Sequence, residues 1–188
     1  MTSCGSDGEV MAKAVDDPRA FTAIFERHFS AIHRYLARRI GTDAADDLAA
    51  GVFRVALERR ASFRPDTTDA RPWLYGIATT LLRRHRRREV RRLRAIARME
   101  GPDPRPDVAS DMSEGLIDAD IAAALHGLRG DDRDAVLLYA CADLTYEDVA
   151  DALGIPVGTV RSRLHRARRQ LRRSLSTGSD DEGADDDG

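Results

Sequence analysis

From Pro18 onward, apolar residues return every three or four positions. Phe21, Ile24, Phe25, Phe29, Ile32, Leu36 and Ile40 form one stripe, which predicts an amphipathic helix. Gly41 ends it, and Thr42 or Asp43 stands where a cap for the next helix belongs. That helix has its own stripe in Leu48, Val52, Phe53, Ala56 and Leu57. The polar, proline-bearing run from Ser62 to Pro72 predicts a loop. A third helix is predicted from about Arg71, with Trp73, Leu74, Ile77, Ala78, Leu81 and Leu82 on its apolar face. Beyond Leu82 only Val90, Leu93 and Ile96 recur, so this half is expected to project from the core. Residues 1–16 are poor in apolar positions and predict a flexible N-terminal arm. The first domain is therefore expected over 17–100.

Residues 101–114, GPDPRPDVASDMSE, read as a linker. A second domain is expected over 115–176. Leu116, Ile117, Ile121, Ala124, Leu125 and Leu128 predict one helix closed by Gly130, and Val136 to Tyr139 belong to the next. No segment alternates with the period of two that a half-buried strand needs. The expected fold is all-α: two small helical domains joined by a flexible linker, followed by an acidic, disordered tail over 177–188.

The most informative stretch is DLTYEDVADALGIPVGTVRSRLHRARRQL, residues 143–171. Thr145 and Asp148 have capping-box spacing for a short helix through Leu153. Gly154 is placed for a left-handed C-cap, and Pro156 suits the start of a second helix. Val160, Leu164, Ala167 and Leu171 then line one face of that helix, opposite a face rich in arginine. A short helix, a glycine turn and a basic second helix are the parts of a DNA-reading helix-turn-helix.

Charge sharpens this reading. The net charge of −2 conceals strong segregation. Residues 83–98 hold nine Arg and one acid, 156–175 hold seven Arg and no acid, and 178–188 hold six acids and no base. Such blocks suit a polyanion-binding protein with a solvated acidic end. Two cysteines among 188 residues exclude a disulfide-dense scaffold or a Cys-rich zinc site. The five histidines lack metal-ligand spacing, so no metal or other cofactor is expected. No nucleophile–base pair or phosphate-binding glycine loop stands out, and the chain reads as a non-enzyme. The opening residues do not form a signal peptide and no apolar run is long enough to span a bilayer, so a cytoplasmic protein without membrane insertion is expected.

The run LTYEDVADALGIPVGTVRSRLHRARRQL resembles region four of the extracytoplasmic-function (ECF) sigma factors of bacterial RNA polymerase. ARPWLYGIATTLLRRHRRREVRRLRA, residues 70–95, is similar to their region two, as are the two helical stripes upstream. The resemblance implies a subunit that binds core polymerase, recognises −10 and −35 promoter elements and helps to open the duplex. It implies docking through Asp46, Asp47, Leu48, Val52 and Phe53 on the clamp helices of the largest polymerase subunit. The flap of the second-largest subunit is a further implied contact. Phe63, Trp73, Thr80, Arg83, Arg84, Arg86, Arg87 and Arg88 would serve the −10 element. Gly158, Thr159, Arg161, Ser162, His165, Arg166 and Arg169 would serve the −35 element. It also implies an anti-sigma protein as a regulatory partner.

The chain departs from the family pattern at Ala50 and Gly51, where a Gln and an acid are usual, and at Thr80, where an Asn is usual. Two rival readings follow from the same residues. One is a helix-turn-helix regulator that binds DNA without joining polymerase. The other is an interaction protein whose Arg blocks hold RNA or an acidic partner, with little sequence discrimination.

Overall fold

A computed structural model describes residues 5–64, 66–100 and 119–179. The described residues are helical apart from turns, caps and short loops. The chain divides into two compact units, Met1–Asp111 and Met112–Gly188. The stretch expected as linker, together with Leu116 and Ile117, lies outside the described residues, as does the tail from 180 on.

The first unit contains α1 (Asp7–Asp16), α2 (Thr22–Ile40), α3 (Thr42–Glu58) and α4 (Arg71–Glu100), with short 3-10 turns at Pro18–Phe21 and Arg60–Ser62. Its core combines Phe21, Ile24, Ile32 and Leu36 of the first stripe with Val52, Phe53, Leu74 and Leu82. Phe25 departs from the expected stripe and is 40% exposed, because it lies at the edge of an aromatic cluster with Phe29 and Phe53. Gly41 ends α2 at φ 77°, ψ 165°, a positive-φ conformation natural to glycine. The same residue is the N-cap of α3, and neither Thr42 nor Asp43 supplies a side-chain cap there. A buried polar group also links α2 to α4. Arg39 donates to the Tyr35 hydroxyl at 2.6 Å, and that hydroxyl meets Thr79 Oγ1 at 3.2 Å.

Residues 7–16 form a packed helix where a flexible arm was expected. Ser6 and Glu9 close a capping box, with Glu9 N–H on Ser6 Oγ and Ser6 N–H on Glu9 Oε2. Met11 and Ala14 are buried at three-residue spacing. Full burial of a methionine is worth about 2 kcal/mol, enough to offset much of the cost of ordering a short helix. The carboxylate of Asp7 accepts from Arg27 at 2.7 Å and from the Ala70 N–H at 2.9 Å, and meets His28 Nε2 at 2.7 Å. The signal in the sequence was the Ser6-x-x-Glu9 spacing ahead of Val10, Met11 and Ala14.

The second unit contains α5 (Ala119–Gly127), α6 (Gly130–Cys141), α7 (Tyr146–Leu153) and α8 (Val157–Ser179). Ala124, Leu125, Leu128, Leu138, Val149, Val160, Leu164 and Ala167 make its core. Gly130 opens α6 and does not close α5, and Ile121 is exposed. The end of α5 is held by Arg133, which donates to the carbonyls of Leu125, His126 and Leu128. These carbonyls lie at a helix C-terminus, where a cation is favoured.

Candidate nucleic-acid interface

Helices α7 and α8 form the helix-turn-helix. Thr145 Oγ1 accepts from the Asp148 N–H at 3.1 Å, and the Thr145 N–H donates to Asp148 Oδ2, also at 3.1 Å. Gly154 adopts φ 63°, ψ 40°, and its N–H is bonded to the last turn of α7. A Cβ at 154 would meet no atom of the surrounding fold within 4 Å, so the demand for glycine there comes from the left-handed backbone itself. Val160, Leu164 and Ala167 press α8 into the unit, each at most 2% exposed, while Leu171 is half-buried.

Arg161, Ser162, His165, Arg168 and Arg169 are exposed on α8, with Gly158 and Thr159 at its start. Ser162 Oγ donates to the Gly158 carbonyl at 3.0 Å, which keeps the hydroxyl close to the helix surface. Arg168 lies over the Tyr139 ring, 5.6 Å from its centroid. The N-terminal turns of such a helix reach base edges in a major groove, and arginines further along meet phosphates.

Arg163 and Arg166 of α8 form ion pairs with acids of α6. Arg166 makes a two-pronged contact to Asp132, with Nη2 to Oδ1 at 2.7 Å and Nε to Oδ2 at 3.2 Å. Arg163 reaches Asp131 at 3.2 Å. Asp132 is buried, so its carboxylate depends on that guanidinium for compensation. These four side chains, with Arg129 and Gly130, line a depression of about 460 Å³. Arg166, expected on the −35 element, thus ties α8 to α6. The sequence held no legible sign of this, since the partners stand 34 residues apart and acids in a first helical turn are common for other reasons.

In the first unit, α4 spans 30 residues, about 45 Å at 1.5 Å per residue. From Arg83 to Arg98 every side chain is half-buried or exposed. Arg84, Arg87 and Arg88 are exposed, and Arg83 is half-buried. Arg86 differs: its Nη2 donates to the Arg39 carbonyl at 3.2 Å, near the end of α2. Thr80 is exposed and its hydroxyl donates to the Gly76 carbonyl at 2.9 Å. Trp73 is half-buried, its ring edge-on to buried Phe63 with centroids 5.3 Å apart.

The loop before α4 is a chain of local bonds. Thr67 N–H donates to the Arg64 carbonyl at 3.0 Å, and Asp69 accepts from the Arg71 N–H at 2.8 Å. Of the residues expected to dock on polymerase, Asp46 and Asp47 are exposed and Leu48 is half-buried. Val52 and Phe53 are at most 4% exposed and face the core, so they support α3 from inside and offer no surface. Asp46 meets His33 Nε2 at 2.8 Å across to α2. Ala50 is exposed, and Gly51 lies beside Leu81 of α4.

Asp7, His28 and Asp69 come within 4.8 Å of one another, a grouping with metal-ligating atoms. Their chemistry is already taken up: Asp7 is bonded to Arg27, His28 and Ala70 N–H, and Asp69 to Arg71. Burial by itself pushes the Asp7 carboxyl up. The hydrogen bonds from His28, Ala70 N–H and Arg27 outweigh it and hold the carboxyl well below the usual carboxylate range. An ion-paired structural carboxylate accounts for this cluster.

Comparison with known proteins gives both units relatives. The profile for Sigma-70 region 2 matches residues 24–92, and that for Sigma-70, region 4 matches 118–171. The ECF RNA polymerase sigma factor SigE of Mycolicibacterium smegmatis is 34% identical over 159 residues, 81% of this chain and 60% of that protein. The chain thus spans about three-fifths of that relative's length. RNA polymerase sigma factor CarQ of Myxococcus xanthus is 31% identical, with 83% of this chain and 89% of that protein aligned. Among solved structures, the sigma factor RpoE in complex with the anti-sigma factor NepR from Bartonella quintana matches with a TM-score of 0.59 and 26% identity. That match covers 83% of this chain and 96% of the other. With both sigma regions present in order, and with the ECF RNA polymerase sigma factor SigC of Mycobacterium tuberculosis 31% identical over 91% of this chain and 94% of that protein, the chain belongs to the ECF sigma factors of the sigma-70 family of bacterial RNA polymerase.

Proposed function

We propose that this chain directs polymerase to promoters by dividing recognition between its two units. The second unit reads the −35 element as duplex through Arg161, Ser162 and His165, with Gly158, Thr159 and Arg169 near the backbone. Arg166 contributes by holding the reading helix against α6. The first unit engages the −10 element as it opens, with Trp73 and the loop before α4 at the separated strand and the Arg84, Arg87 and Arg88 face on phosphates. Unpairing a base costs a few kcal/mol, which stacking and phosphate contacts must repay. Polymerase docking falls to Asp46, Asp47 and Leu48 on α3, backed from within by Val52 and Phe53. The bond-forming chemistry belongs to the polymerase, and this chain acts as its non-enzymatic specificity subunit in the cytoplasm. An anti-sigma protein is a partner by analogy with the Bartonella quintana complex.

The observation that carries this reading is the exposed Arg161–Ser162–His165 face of α8, set on a capped helix-turn-helix and accompanied by a separate unit with an Arg-lined helix. Run-off transcription with bacterial core polymerase on a library of promoter fragments tests it. Transcripts that start at defined sites only when the protein is present are expected. Specific binding to fragments without polymerase-dependent starts would favour a regulator that does not join polymerase, and would direct attention to Ala50 and Gly51.

A further inference from the structure

The loop that leads into α4 is fastened to α1 at both of its ends. At its start, Arg60 Nε donates to the Ala14 carbonyl at 2.6 Å and Nη2 to the Val15 carbonyl at 3.5 Å, while Nη1 holds the Leu57 carbonyl at 3.0 Å. Arg60 therefore joins the last turn of α1 to the end of α3. At the far end of the loop, the Asp7 N–H donates to the Thr68 carbonyl at 3.2 Å, and Asp7 Oδ2 accepts from the Ala70 N–H at 2.9 Å. Asp7 is anchored in turn by Arg27 and His28 on α2.

These contacts do more than attach a helix to a bundle. Met11 and Ala14 already supply an apolar attachment. Asp7 also bonds backbone atoms at the far end of the loop, and Arg60, where the loop begins, bonds carbonyls in the last turns of α1 and α3. Fixing both ends removes conformational freedom that the loop would otherwise lose only on binding. Between them lie Phe63, packed against Trp73, and the bond from the Thr67 N–H to the Arg64 carbonyl.

We propose that Asp7 and Arg60 are positioning residues for −10 recognition, and that α1 is a splint holding this loop in its strand-receiving shape. The proposal rests on the reading of the loop as the −10 contact. Neither residue touches DNA in this account; each acts through Phe63, Trp73 and the backbone between.

The test uses holoenzyme assembled from bacterial core polymerase and the full chain, as wild type, Asp7→Asn and Arg60→Gln. Each is challenged with a pool of single-stranded DNA bearing a randomised window and, separately, with a pool of short duplexes that carry a randomised −35 window and no −10 element. Both variants are expected to assemble with core and to enrich the same duplex sequences as wild type. Their enrichment from the single-stranded pool should fall at least tenfold, with base preference flattened at the same one or two positions. A merely structural role would lower recovery from both pools with preferences unchanged, and that result overturns the proposal. So does single-strand enrichment equal to wild type. Wild-type holoenzyme that selects from the duplex pool but not from single strands would refute the −10 reading itself, and the splint with it. Because Arg60 lies at the opposite end of α1, an Asp7→Asn chain that fails to fold still leaves Arg60→Gln to decide.

Discussion

Asp7 shows how one side chain can carry a unit. Its carboxylate is buried, is ionised against the cost of burial and serves α1, α2 and the start of α4 at once. A carboxyl depressed in the folded state stabilises above the unfolded-state value near 3.9, and the contribution fades as pH falls toward the folded value. Asp7→Asn should therefore cost about 2 kcal/mol at pH 7 and progressively less below about pH 4, as read from urea midpoints at several pH values. On α8, Arg161 and Arg169 are both exposed yet should behave differently. Arg161→Ala should lose roughly 1–3 kcal/mol of binding and relax preference at one −35 position. Arg169→Ala should weaken all sequences alike and lower the salt slope by about one. Competitive binding across single-base promoter variants at two salt concentrations separates the two. The residues of the α8 face were legible in the sequence because periodicity alone separates the inner from the outer positions. Asp7 was not, since its partners lie 20 or more residues away and a lone acid in a polar stretch has no visible address.

At the scale of elements, the helix-turn-helix follows from local rules. Thr145, Asp148 and Gly154 each satisfy backbone groups within a few residues of themselves, so their roles can be read from spacing. Gly154→Ala should cost about 1–2 kcal/mol through the left-handed backbone, with no clash against the rest of the unit, and thermal unfolding of the chain measures it. The join between α6 and α8 is different in kind. Asp131 and Asp132 hold Arg163 and Arg166 across more than 30 residues of chain. Asp132→Asn should loosen that hold and free Arg166 toward phosphate, so that −35 preference relaxes while the salt dependence steepens by about one unit, as measured by anisotropy between 50 and 200 mM salt, roughly. A salt slope equal to that of wild type would mean that Arg166 stays in place without its partner. Helix α1 sits between these cases: its capping box was visible, but its anchoring was not.

Across the whole molecule, two units each have their own hydrophobic core and their own basic helix. If each unit reads one promoter element while polymerase fixes both, the distance between elements is part of the specificity. Inserting five base pairs between them turns one element about half a helical turn from the other. Run-off transcription from such a promoter should fall at least tenfold, while binding of the −35 fragment alone stays unchanged. The sequence by itself determined the all-α class, the helix-turn-helix and the basic faces, because caps, periods of 3.6 and charge blocks are local and need no knowledge of neighbours. The tertiary structure alone decided which polar residues stay available. It turned Val52 and Phe53 inward, drew Arg86 to the end of α2 and Arg166 to Asp132, and made a packed helix of an expected arm. An ion pair or buried contact between distant positions leaves no periodic trace in the chain; it exists only once packing brings both groups out of water together.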